Sequence, residues 1–179
     1  RLDNLAKGEQ VYSARLMGDT GYFVTFRNTD PLFSADLSDP ENPQILGELK
    51  IPGFSEYLHP YGEGRLLGIG MDADEETGAT GGVKLSMFNV SDPADVKEEH
   101  TLILENVYSA DVLYDYRAAL IDTDRNIIGF SAYKGAQEKY YLFSYDPDKG
   151  FTCLLEEQVN GSSQRAGRGL YIENVLYVV

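Results

Sequence analysis

One cysteine (Cys153), two histidines (His59 and His100) and no tryptophan stand among 179 residues. A single thiol excludes an internal disulfide and any multi-cysteine zinc site. A Ser-His-acid hydrolase needs its base within hydrogen-bond reach of the nucleophile, and with two histidines and no G-x-S-x-G elbow to hold a serine, nothing places one. Positive charge is scarce as well: 15 Lys and Arg face 29 Asp and Glu, for a formal charge of −14. Nucleic-acid affinity comes largely from Lys and Arg displacing counterions, and anionic membrane faces attract the same residues, so neither is an expected partner. No apolar run approaches the roughly 20 residues of a spanning helix, so no direct membrane insertion by this segment is expected. No charged-then-apolar stretch marks the N-terminus, and the chain opens on Arg1 without a Met, the start expected of a processed or internal piece. An apolar pattern of period 3.6 nowhere persists for even three turns, so helices are not expected.

What is present fits one globular domain: 42% hydrophobic and 25% charged residues, enough chain to bury a core. The acidity reads most simply as mutual repulsion that keeps a strand-rich protein soluble.

The chain repeats, which decides the fold class before any single residue does. Asp39-Pro40, Asp92-Pro93 and Asp146-Pro147 are spaced by 53 and 54 residues. An independent series puts serines at 13, 55, 109 and 163, spaced by 42, 54 and 54. Ser13 to Asp39 is 26 residues, whereas Ser55 to Asp92 and Ser109 to Asp146 are both 37. The missing 11 are expected where unit two carries MDADEETGATGG and unit three SAYKGAQEK, both read as extended hairpin loops. GYFVTF, RLLGIG and RAALID then read as equivalent strands, followed by LFSADL, KLSMFNV and YYLFSY, the Asp-Pro turn, and QILGELKI, VKEEHTLIL and FTCLLEEQV. Asp-Pro suits a type I turn because Pro presets φ at the second position and Asp bonds the backbone two residues on.

Four strands per unit match a blade of a β-propeller. A β-sandwich also uses short, evenly spaced strands but gives no reason for a phrase to recur every 54 residues. The expected fold is therefore all-β: four-stranded antiparallel propeller blades, about three plus part of a fourth. Residues 1–179 form a single, incomplete domain with approximate units 12–53, 54–107, 108–161 and 162–179, and residues 1–11 end a preceding unit. Propellers usually close with 4–8 blades, so the expected partners include the remaining blades of a longer chain or a second copy.

The stretch VYSARLMGDTGYFVTFRNTDPLFSADLSDPENPQILGELKIPGFSEYLHPY, densest from Tyr12 to Tyr61, resembles bacterial and archaeal secreted proteins with a C-terminal β-propeller domain distantly related to WD40 repeats. KLSMFNVSDPADVKE and YSADVLYDYRAALID continue the likeness across most of the chain, while SYDPDKG departs from its turn phrase. The resemblance implies an extracytoplasmic protein, secreted or attached to the cell surface, without an established activity. It brings no catalytic residue and no cofactor.

Taken singly, few residues suggest chemistry. His59, between tyrosines in YLHPY, suits local packing or hydrogen bonding, and His100 is expected at the surface. Cys153 alternates with Phe151 and Leu155, which suggests a buried thiol. Asp72, Asp74, Glu75 and Glu76 invite a calcium reading, but the EF-hand pattern fails because Glu76 and Thr77 fill its fifth and sixth places. No metal site is expected there, a solvated hairpin tip being the simpler reading. Gly78, Gly81 and Gly82 lack a P-loop lysine, and no carboxylate pair stands out for glycoside hydrolysis.

Tyrosine is plentiful, 13 residues, and Tyr12, Tyr57, Tyr61, Tyr108, Tyr114 and Tyr116 all fall near expected innermost strands. The residue two past each aligned serine is Arg15, Tyr57, Asp111 and Arg165. Equivalent positions on successive blades ring the same part of a channel, so these four and His59 are the candidate binding residues. The expected function is a non-enzymatic module for protein or glycan interaction. Its rivals are a hydrolase acting on a surface polymer and a purely structural platform within a larger surface protein.

Overall fold

The computed structural model describes residues 2, 10–26, 30–74, 76–159 and 167–179. Three antiparallel meanders follow one another. The first is β1 (Gln10–Met17), β2 (Thr20–Phe26), β3 (Asp30–Asp36) and β4 (Gln44–Ile51). The second is β5 (Phe54–Pro60), β6 (Arg65–Ala73), β7 (Thr80–Asn89) and β8 (Lys97–Leu104). In the third, β9 (Val107–Ala110) and β10 (Leu120–Asp122) both pair with β11 (Ile127–Lys134), followed by β12 (Gln137–Asp146) and β13 (Gly150–Gln158). A two-stranded hairpin, β14 (Gly169–Ile172) and β15 (Val175–Val178), comes last. This is the expected all-β class, four-stranded antiparallel sheets of a partial β-propeller.

The recurring Asp-Pro phrase makes the same turn three times, between the third and fourth strand positions of each sheet. The Asp39 carbonyl accepts from Asn42 N–H at 3.1 Å and its Oδ1 from Glu41 N–H at 3.0 Å. Asp92 does the same with Asp95 at 3.0 Å and Ala94 at 2.9 Å, and Asp146 with Lys149 at 3.3 Å and Asp148 at 2.9 Å. Carboxylates so placed serve as turn acceptors.

Middle strands are buried on both faces because sheets pack on either side of them. Leu66, Leu67 and Ile69 of β6 and Val83, Leu85, Met87 and Phe88 of β7 are fully enclosed, each such side chain contributing about 1.5–3 kcal/mol. Polar contacts stitch neighbouring sheets. Ser13 Oγ donates to the Ser55 carbonyl at 2.5 Å, Ser34 Oγ donates to the Pro93 carbonyl, and Tyr61 Oη donates to Asn126 Oδ1 at 2.7 Å. The first two aligned serines thus meet across a sheet boundary.

Several expectations need correction. The equal 37-residue spacing in units two and three conceals two different insertions. Ser13 precedes Thr20, the start of β2, by 7 positions, and Ser109 precedes Ile127, the start of β11, by 18. From those starts to the Asp-Pro turn the count is 19 in both. The whole excess of unit three therefore lies inside its innermost strand, which residues 111–119 break with two 3-10 turns, Asp111–Leu113 and Tyr116–Ala118. RAALID ends that innermost strand rather than forming the second, and SAYKGAQEK is paired β11–β12 hairpin closed at Gly135-Ala136 rather than a loop. In the second sheet the insertion mostly lengthens the β6–β7 hairpin, as expected.

Cys153 is exposed, not buried. Leu142 pairs with Leu155 but Phe143 with Cys153, so Leu154 is a bulge and strict alternation fails there. His100 is half-buried rather than on the open surface. Tyr145 has one phenol proton and donates it to Glu99 Oε2 at 3.0 Å, so it accepts from His100 Nδ1–H at 3.0 Å. Glu99 also receives Arg65 Nε and Asn89 Nδ2 from its own sheet, each at 2.9 Å, while the two Tyr145 bonds tie the second sheet to the third.

Candidate functional site

Innermost strands are shaped by bulges. In β1 the pairing slips between Val11 and Ser13, in β5 between Ser55 and Tyr57, and in β9 beside Tyr133 and Lys134 of its partner β11. A bulge adds an unpaired residue, bends the strand and re-aims the side chains beside it. In β5 the unpaired residue is Glu56, and β1 packs beside β5.

The result is an open cleft of about 560 Å³ between β1 and β5, lined by Ser13, Ala14, Arg15, Glu56, Tyr57, Leu58, His59 and Tyr116. Three of the five candidate residues, Arg15, Tyr57 and His59, come together there. Asp111 is otherwise engaged: its carboxylate accepts from Tyr133 Oη at 3.1 Å and from Gly167 N–H at 3.0 Å, which holds the chain before β14 to the third sheet. Arg165 lies outside the described residues, as does Glu75.

Sequence reasoning missed Glu56, Leu58 and the role of Tyr116. Tyr116 was legible only as one of six tyrosines near inner strands. Its place in the cleft depends on the 111–119 interruption, which no period could locate. Two ion pairs steady that interruption. Arg117 forks onto Asp115, Nε to Oδ1 at 2.8 Å and an Nη to Oδ2 at 3.1 Å, and Arg168 reaches the same carboxylate at 3.2 Å. These contacts, the Arg117 hydrogen bonds first, pull the Asp115 carboxyl down to about 2. Tyr116 itself stays 68% exposed, with the Arg117 guanidinium 5.9 Å from its ring centroid.

Electrostatics in the cleft follow from burial and one cation. Burial raises the Glu56 carboxyl. Burial raises the Tyr57 phenol too, with the Arg15 charge working against it. His59 is lowered by burial first and by Arg15 second, so the ring is neutral near pH 7. Tyr57 Oη and His59 Nδ1 lie 2.7 Å apart; a neutral ring accepting the phenol proton carries its own proton on Nε2. Ser13, the serine of the cleft, commits its hydroxyl to the Ser55 carbonyl. The arrangement offers an aromatic surface, a guanidinium, a carboxyl and a fixed phenol–imidazole pair.

The acidic hairpin tip has a structural use. Asp74 Oδ1 accepts from Thr77 N–H at 2.8 Å, Thr77 Oγ1 at 2.7 Å and Glu76 N–H at 3.2 Å, closing the β6–β7 connection. Among the described residues, Asp72, Asp74 and Glu76 included, no three His, Cys, Asp or Glu side chains gather closely enough to hold a metal ion.

A family model described as a β-propeller domain matches residues 1–179. An uncharacterised protein of Archaeoglobus fulgidus is 40% identical over 179 residues, all of this chain and 26% of that protein. An uncharacterised protein of Methanocaldococcus jannaschii is 41% identical over 179 residues, 99% of this chain and 26% of its own length. The chain thus spans about a quarter of the length of the relatives it matches.

Proposed function

The chain belongs to the β-propeller domain family, and on that premise we propose that it is a non-enzymatic interaction module that takes a glycan or protein ligand in the cleft between its first two blades. One observation carries the reading. Arg15, Tyr57 and His59, on neighbouring innermost strands of a repeated backbone, converge with Tyr116 on one open concave space. Side chains that vary on a constant scaffold, around a cavity within the usual ligand range of about 300–1,000 Å³, are what a binding site requires. Screening the full-length protein against glycans, cell-wall fragments and surface proteins tests it. A ligand that is lost with Arg15→Ala and Tyr57→Phe together supports the module, and turnover of any screened compound overturns it.

Its place of action is outside the cytoplasm, secreted or at the cell surface, a reading supported by the resemblance described above. Cell fractionation with an antibody against the chain tests that assignment, and a purely cytoplasmic signal refutes it. Its partners include further blades or a second copy. Val11 and Leu16 on β1, each 64% exposed, and Ile172 and Val175 on the last hairpin, 58% and 53% exposed, support this as apolar positions left open at the two ends of the fan.

A further inference from the structure

We propose that the cleft is selective for a carboxylate-bearing sugar, with the Arg15 guanidinium on the carboxylate and the Tyr116 ring against the apolar face of the pyranose, a proposal that rests on the module reading above.

Charge is the first consideration. A protein at −14 repels anions over most of its surface. Arg15 is an exception: among the described residues no carboxylate pairs with it. Its field reaches Tyr57 and His59 strongly enough to bias both protonation equilibria. The nearby Arg117 differs, since Asp115 neutralises it. A guanidinium is a planar fork of donors that matches one carboxylate two-to-two. A neutral sugar would leave that fork idle.

Shape and surface choose the body that carries the carboxylate. A concave space of about 560 Å³ suits one or two sugar rings, whereas a stable protein interface needs a broad patch of about 800 Å² per partner. Tyr116 presents an exposed amphipathic ring, apolar across its face and polar at its tip, as a pyranose is apolar across its C–H face and polar at its rim. The Tyr57–His59 pair, fixed by its 2.7 Å bond, leaves the imidazole Nε2–H for a ligand hydroxyl. Glu56 lines the same space and decides against denser anions. Its carboxylate accepts from a sugar hydroxyl but repels a phosphate monoester, which carries up to two negative charges.

Calorimetry on the full-length protein tests this with tetragalacturonate and its methyl ester, which share the sugar chain and differ at the carboxyl groups, charged in the acid and capped as neutral esters in the other. The free acid is expected to bind at least tenfold more tightly, the weight of a charge-assisted hydrogen bond. Arg15→Gln should erase that difference, while Tyr116→Ala should weaken both forms by a similar factor. Tyr116 is 68% exposed, so its removal leaves folding intact, as circular dichroism melts would verify. An ester that binds as tightly as the acid overturns the acidic-sugar assignment and leaves the module reading standing. So does binding of an acidic tetrapeptide through Arg15 when neither sugar binds. Absence of any ligand from the broad screen removes both.

Discussion

Gly70→Ala joins the architecture to the cleft in one substitution. Gly70 of β6 pairs with Ser55 of β5, beside the bulge at Glu56. A Cβ placed on Gly70 would lie 1.7 Å from the Phe54 carbonyl oxygen, 2.6 Å from its carbon and 2.7 Å from Ser55 Cα. All three neighbours are backbone, so no rotamer change relieves them and β5 itself must shift. The pairs on either side, Phe54 with Met71 and Tyr57 with Ile69, resist that movement. Overpacking that side chains can absorb costs about 1–3 kcal/mol, which sets about 3 kcal/mol as the expected cost here. Gly135→Ala is the control: φ is 64° and nothing lies within 4 Å of the added carbon, so only the left-handed backbone penalty of about 1–2 kcal/mol applies. With no tryptophan in the chain, urea unfolding is best followed by far-UV circular dichroism, comparing midpoints at constant slope. Gly70→Ala should also abolish ligand binding, and Gly135→Ala should not. A Gly70→Ala protein within about 1 kcal/mol of wild type, or more stable than the control, would refute the close-approach reasoning.

Lys84 is enclosed, pairing with Glu98 at 3.1 Å and donating to the Pro52 carbonyl at 2.8 Å. Lys84→Met should therefore cost about 3 kcal/mol by stranding the carboxylate, and adding Glu98→Gln should recover part of it; equal losses would contradict this. Asp115 should titrate near 2 by NMR, well under its ordinary 3.8, and move up in Arg117→Gln. A depressed carboxyl contributes stability above its unfolded value that is lost as pH falls through the folded one. The clamp holding Tyr116 should accordingly loosen between about pH 4 and pH 2 and at no higher pH. Cys153 should react fully with a maleimide in the native state; labelling only in denaturant would restore the buried-thiol expectation.

How far the sequence could be read depended on what each feature is made of. Asp39, Asp92 and Asp146 were legible because a turn is local chemistry: one side chain, one proline and the next few amides. The interval from Ser13 to Ser55 has a less local origin, since Ser13 meets the Ser55 carbonyl across a sheet boundary, whereas Ser163 lies outside the described residues. The third unit misled because length adds the same wherever an insertion falls. Eleven residues in an innermost strand or in a hairpin leave the outer marks equally far apart. Cys153 was misplaced by a single bulge at Leu154, which reverses facing without altering composition. Arg15, Tyr57 and His59 could be grouped from position in the repeat, whereas Tyr116 reaches them only through two 3-10 turns that interrupt the pattern.

The cleft as the seat of function is tested most directly by NMR on the full-length protein with ring-labelled tyrosine, titrated with the tightest glycan or cell-wall fragment from the screen. Saturable shifts at Tyr57 and Tyr116, with Tyr145 of β12 and Tyr177 of β15, neither of which lines the cleft, unmoved, are the predicted result. Binding that leaves Tyr57 and Tyr116 still while other tyrosines move would contradict it.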